Sequence, residues 1–278
     1  MNLIERLLIF LDGNMKQPVS YGWFHWLFLI LTIIILVIIF FRYRNFDNHQ
    51  IKRILLTYTI ITLSLEVYKQ INFSFNYDAT SSWWSYQWYA FPFQFCSTPM
   101  YIALIGALTK NETIEKACYA FLATFGLTAG LAVMLYPATV FVDTIGINFQ
   151  TMIHHSSMII IGFLLIANQK VAHDRKSLIL ALDVFLICVA IAISIDVSTY
   201  FIGINNGLEM FFISPYHDSS LPIFNIIYQN VPYLLFLVIY ISSFALGSYI
   251  LFNIFRLPLK TTESHRLKTS KSTLSHNL

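Results

Sequence analysis

Residues 21–41 read YGWFHWLFLILTIIILVIIFF, a run with no Asp, Glu, Lys or Arg in it. At about 1.5 Å per helical residue, about 20 such residues cross the hydrocarbon core of a bilayer. Apolar side chains cover every face of this stretch, so it has no side to turn toward water. Trp23 and Trp26 mark one end, where an amphipathic ring suits the headgroup layer, and Arg42 and Arg44 close the other.

Six more stretches of this kind follow, at 54–73, 89–108, 114–135, 149–169, 177–202 and 231–255. The chain of 278 residues is 57% hydrophobic and 11% charged, against about a quarter charged in soluble domains. The expectation is an all-α polytopic membrane protein, a bundle of seven transmembrane helices over 21–255. No fixed-period repeat and no inverted pair of broken helices stands out.

The cations set an orientation. Arg42, Arg44, Lys52 and Arg53 follow the first stretch, Lys110 and Lys116 the third, and Lys170, Arg175 and Lys176 the fifth, with more after the seventh. The alternate connections, 74–88, 136–148 and 203–230, have no Lys or Arg. The positive-inside rule then puts the amino terminus outside and the carboxyl terminus in the cytosol, despite Arg6 and Lys16. Residues 1–20 lack the pattern of a secretory signal and are expected to stay in the chain. Leu3, Ile4, Leu7, Leu8 and Leu11 there recur at helical spacing, as in a short interfacial helix. Residues 256–278 are basic, rich in Ser and Thr and without apolar periodicity, and read as a disordered cytosolic tail. The 203–230 connection, with Asn205, Asn206, Glu209, His217 and Asp218, reads either as a cover over an outward opening or as a passive loop.

Ionisable side chains inside spans are costly and mark candidate sites. Counted from the outer ends, Cys96, His154, His155, Glu66 and Asp196 fall roughly 10 Å inside, on four different helices. Each also has a plainer reading. Cys96 packs as a small hydrophobe, and Glu66 and Lys69, three apart, neutralise each other. Asp196 bonds to hydroxyls such as those of Ser194 or Thr199, and a membrane histidine serves as an interhelical hydrogen bond. Adjacent positions differ by about 100° around a helix, so His154 and His155 are not expected to face one point. Taken together, however, a thiol level with an imidazole and a carboxylate is the nucleophile, base and orienter set of covalent catalysis.

Pro92 and Pro99 flank Cys96 and are expected to bend its helix and open room beside it. Ser97 and Thr98 have hydroxyls for freed carbonyls or for an oxyanion. Cys96, Cys118 and Cys188 cannot all pair and all lie in apolar sequence, so no disulfide framework is expected. The chain has no HExxH motif, no paired-cysteine metal spacing, no phosphate loop and no nucleic-acid patch, so neither metal nor cofactor is expected.

The Phe91-Pro-Phe-Gln-Phe-Cys96 segment on the third stretch, with Ile153-His154-His155-Ser156-Ser157 on the fifth, resembles the YwaF-like bacterial membrane proteins and the transmembrane protein 164 acyltransferases of vertebrates. The likeness runs from about Trp23 to Phe255. Pro92 and Cys96 match the family's Leu-Pro-Leu-His-Leu-Cys stretch, Gln94 replaces its histidine, and His155 matches a later histidine followed by two small residues. The resemblance implies acyl transfer between membrane phospholipids through a cysteine thioester. On it, Cys96 is expected as nucleophile and His155 as base, with His154 as the other candidate imidazole. Glu66 or Asp196 is expected to orient the ring, and Gln94, Ser97 and Lys69 to contact substrate. Two alternatives stand beside it: a lipid hydrolase with the same Cys/His site, and a transporter or receptor-like bundle whose polar layer binds a ligand or protons. The expected location is the cell membrane, as a multi-pass protein.

Overall fold

A computed structural model describes residues 3–204 and 207–275, so Asn205 and Asn206 lie outside the described residues. Among the described residues ten α-helices are formed: α1 Leu3–Asp12, α2 Trp23–Arg42, α3 Asn48–Ser74, α4 Thr98–Leu108, α5 Glu112–Phe121, α6 Leu127–Leu135, α7 Ile145–Ala167, α8 Arg175–Phe201, α9 Pro222–Asn230 and α10 Tyr233–Ser275. A π-helical turn, Leu122–Gly126, joins α5 to α6 within one continuous rod. One hairpin, β1 Phe75–Tyr77 and β2 Ser82–Trp84, follows α3.

The starts of three long helices are written locally in polar residues. Asp47 and Gln50 form a reciprocal capping box on α3, with Asp47 Oδ1 accepting from the Gln50 N–H at 2.7 Å. Asn111 Oδ1 accepts from the Thr113 and Ile114 N–H groups at the start of α5, and Asp174 Oδ1 from the Ser177 N–H at the start of α8. Lys52, Lys110, Lys116, Arg175 and Lys176 cluster near these same ends.

Helix α7 is the hub. Ile147, Gln150, Met152, His155, Ser156 and Leu164 are all buried, although they point in every direction around its axis, because α2, α3 and α6 pack on its sides. Glycines let α6 come close. A Cβ on Gly130 would lie 2.7 Å from the His155 carbonyl oxygen, and one on Gly162 would lie 2.8 Å from Leu127 Cβ.

Among the described residues, five helices are long and apolar enough to cross a membrane: Trp23–Arg42, Glu112–Leu135, Ile145–Ala167, Arg175–Phe201 and Tyr233–Leu259. This makes the chain an integral, multi-pass, all-α protein; two of the seven expected spans, the second and the third, do not meet that measure. The second expected span is helix α3, 27 residues long, but Lys52, Arg53, Glu66 and Lys69 dilute its apolar character. The third is cut to the 11 residues of α4, because Pro92 and Pro99 do not bend a helix here. Pro99 sits in its first turn, where a missing N–H costs nothing, and Phe91–Ser97 stays outside any α-helix.

Part of the 203–230 connection is buried. Leu208, Met210, Phe211 and Ile213 are at most 2% exposed, wedged into the bundle beside α8 and α10. Phe211 and Phe212 sit at φ 56° and 61°, a left-handed conformation costing on the order of 1–3 kcal/mol per bulky residue. Hydrogen bonds hold it: the Tyr240 hydroxyl donates to Phe211 O at 2.7 Å and the Tyr233 hydroxyl to Ile213 O at 2.8 Å. Helix α10 continues through Pro258 to Ser275, past the point where the apolar sequence ends.

Candidate active site

Cys96 stands in a turn, not on a helix. After a 3₁₀ turn at Trp88–Ala90, the Ser97 and Thr98 N–H groups both donate to Gln94 O, at 2.9 and 3.1 Å, and this turn leads into α4. Phe95 anchors it, 5% exposed and packed among the rings of Phe185, Phe211 and Phe244 at centroid distances of 5.0–5.4 Å. The Tyr101 hydroxyl reaches back to Pro92 O at 2.8 Å, and Thr98 Oγ1 donates to Phe95 O at 2.9 Å, so the hydroxyl of Thr98 serves a freed carbonyl. Ser97 is buried beside the sulfur.

The two histidines of α7 meet this turn. His154 Nε2 lies 2.8 Å from the Cys96 carbonyl oxygen, and His155 Nδ1 lies 2.7 Å from the Thr151 carbonyl oxygen. Each of those nitrogens must carry the proton, because a carbonyl only accepts. The opposite nitrogens, His154 Nδ1 and His155 Nε2, therefore offer lone pairs, and both are buried without a hydrogen-bond partner. Their rings lie 5.3 Å apart, edge to face, although successive residues on a helix point about 100° apart. Buried acceptors of this kind cost free energy unless something occupies them in use, which is why they mark a site.

The carboxylates are placed differently from the expectation that one of them orients a ring. Glu66 bonds to Lys69 at 2.8 Å and accepts from Gln70 Nε2 at 2.8 Å. Gln70 also donates to Ala90 O at 2.6 Å and accepts from the Tyr86 hydroxyl at 2.9 Å, so the group ties α3 to the segment before Cys96. Glu66 and Lys69 remain within electrostatic range of Cys96 and His154. Asp196 Oδ1 accepts from the Met210 N–H at 2.9 Å, which draws it to the wedged loop; its Oδ2 is buried with no hydrogen-bond partner. The backbone carbonyls of Thr151 and Cys96 take the ring-orienting position that a carboxylate was expected to fill.

Gln94 faces the same loop. Its Nε2 donates to Glu209 O at 3.1 Å, while its Oε1 is buried and unpartnered. Burial pushes the Glu209 carboxyl up to about 7, against the Ser220 N–H and hydroxyl that pull it down, and the nearby Asp218 raises it further. Tyr58 escaped the sequence reading. Its hydroxyl is buried without a partner and within electrostatic range of Cys96. The spacing of Tyr58, Thr62 and Glu66, four apart on one face of α3, was the available signal. Among the described residues, no three His, Cys, Asp or Glu side chains come together as a bound metal requires.

A helical membrane bundle enclosing a turn-borne cysteine, whose backbone bonds one of two adjacent imidazoles with unpartnered ring nitrogens, is the class that fold and site define. The TMEM164 family profile matches residues 20–252, and the chain belongs to that family. No curated protein and no solved structure matches it.

Proposed function

We propose that this chain is a membrane acyltransferase that moves an acyl group between phospholipids through a thioester on Cys96, with His155 as general base. The observation that carries the reading is the pair of buried, unpartnered ring nitrogens on the helix that bonds the Cys96 backbone. In the first half, the Cys96 thiol gives its proton to His155 Nε2 as the sulfur attacks the ester carbonyl carbon. The departing lyso-lipid alkoxide takes that proton as the ester C–O bond breaks. In the second half, an acceptor hydroxyl gives its proton to His155 Nε2 and attacks the thioester, and the thiolate leaves and is reprotonated. Water as acceptor makes the same site a hydrolase.

His154 fixes the backbone of the turn, and the Thr151 carbonyl fixes the His155 tautomer. No ring nitrogen bonds the sulfur in the ligand-free geometry, and such contacts commonly tighten only with substrate present. Gln94, Ser97 and the Glu66–Lys69 pair supply polar contacts around the ester, and Asp196 supports the loop that backs Gln94. The cations around the capped ends of α3, α5 and α8 support an amino terminus outside and a basic tail in the cytosol, with the cell membrane as the proposed location. Helix α1, with Leu3, Ile4, Leu7 and Phe10 exposed, then rests in the outer interface.

The test is acyl turnover of purified protein in phospholipid vesicles. Cys96→Ala and His155→Ala are expected to abolish it while inserting and folding normally. Full turnover in Cys96→Ala overturns the proposal, and substrate flux surviving in Cys96→Ser identifies a transporter instead.

A further inference from the structure

A groove of about 640 Å³ runs along the side of α3, bounded by Leu63, Val67 and Ile71 on that helix, by Trp84 of the hairpin, and by Pro92 and Tyr101 on the Cys96 side. We infer that this groove holds one acyl chain of a membrane lipid beside the Cys96 turn. The inference rests on the acyl-transfer reading for its purpose, but not for its evidence.

Length is the first argument. The lining of α3 extends from Leu63 to Ser74, which at 1.5 Å per residue is about 16 Å, and one leaflet of a hydrocarbon core is about half of 30 Å. The groove is thus as long as a single chain's share of the bilayer. Chemistry is the second. Glu66 and Gln70 are the groove's strongest polar groups, yet their bonds are made within the wall, to Lys69, Ala90 and Tyr86. What they leave facing the space is an apolar surface, which suits a hydrocarbon chain and not a charged headgroup. Access is the third. Val67 and Trp84 are 58% and 59% exposed, so the groove opens sideways to lipid. Position is the last: Pro92 forms its wall four residues before the thiol, and Tyr101 bonds to Pro92 across it.

The experiment uses full-length protein, wild type and Cys96→Ala, in vesicles of phosphatidylcholine containing a phosphatidylcholine with a diazirine on one acyl chain. After irradiation, adducts are mapped by peptide mass spectrometry. The expected result is labelling of 63–74 and 84–86 at least fivefold above that of the lipid-exposed Ile187 and Ile191 on α8, in both proteins. Val67→Trp, a filling substitution at an exposed site, is expected to cut groove labelling at least fivefold and leave α8 labelling unchanged. Equal labelling of the two faces, or groove labelling indifferent to Val67→Trp, overturns the inference. Groove labelling without any acyl adduct on wild-type Cys96 upholds the groove and removes the acyl-transfer reading. An adduct on Cys96 with equal labelling of the two faces does the reverse.

Discussion

His154 Nε2 lies 2.8 Å from the carbonyl oxygen of Cys96, so the helix that carries the proposed base also holds the backbone that carries the thiol. A helix and a turn 58 residues apart in sequence are locked at one point. The bond needs only a donor at position 154. His154→Gln, whose amide reaches as a donor, is expected to keep more acyl turnover than His154→Ala, which leaves the Cys96 carbonyl without its partner. His155→Ala removes the base itself and is expected to lower turnover about 10²–10⁴-fold. Turnover of the three variants, normalised to folded protein, checks this. Equal losses in His154→Gln and His154→Ala would give His154 a role beyond that one bond.

Gly130 sets the height of His155. A methyl group there meets the His155 carbonyl oxygen at 2.7 Å and Met158 Cβ at 2.9 Å, and neither is the free end of a flexible chain. Gly130→Ala is therefore expected to destabilise the bundle by about 1–3 kcal/mol and to lower turnover as α6 and α7 part. Thermal unfolding in detergent, read beside activity, measures both. An unchanged melting temperature would mean that the helices separate without cost.

Asp196 stabilises the wedged loop through one backbone bond. Asp196→Ala leaves the buried Met210 N–H unpaired, at a cost of about 1–3 kcal/mol, and Asp196→Asn keeps an acceptor in place. Limited proteolysis within 203–221 is expected to quicken in the first variant and change little in the second. A ring-orienting role for Asp196 predicts instead that both variants lose turnover with the loop intact.

The same loop should respond to pH. Glu209 titrates at about 7 in the folded protein against an ordinary 4.5, so between these values the folded state binds the extra proton. Stability of the loop then falls as pH rises from about 4.5 through 7 and is greatest below that window. Proteolysis at 203–221 is expected to be faster at pH 8 than at pH 5.5, and Glu209→Gln, which keeps an acceptor for the Ser220 N–H, to remove the difference. A pH dependence surviving in Glu209→Gln assigns it to another group.

Five spans were legible as apolar runs, and α3 as a helix, because hydropathy and length need no tertiary information. The Cys96 segment was not, for a physical reason. Phe91, Phe93 and Phe95 are apolar whether helical or not, so hydropathy cannot tell a buried turn from a span, and Pro92 and Pro99 read as bends when Pro99 in fact marks a helix start. The Glu66–Lys69 pair was visible at its i,i+3 spacing. The partner of Asp196 was not legible, since it is a backbone N–H 14 residues further on, in a loop with no periodic pattern. The sequence points to His154 and His155 as residues, but which nitrogen each one commits is decided by carbonyls: Thr151 O one turn back on α7, and Cys96 O on another element.

The most direct measurement is the intact mass of the protein after incubation with a phospholipid of one defined acyl chain. The account predicts a mass increase of one acyl group on the wild type, located to Cys96, released by neutral hydroxylamine and absent from Cys96→Ala. Acyl turnover at the wild-type rate by Cys96→Ala, or an adduct that persists without Cys96, would contradict it.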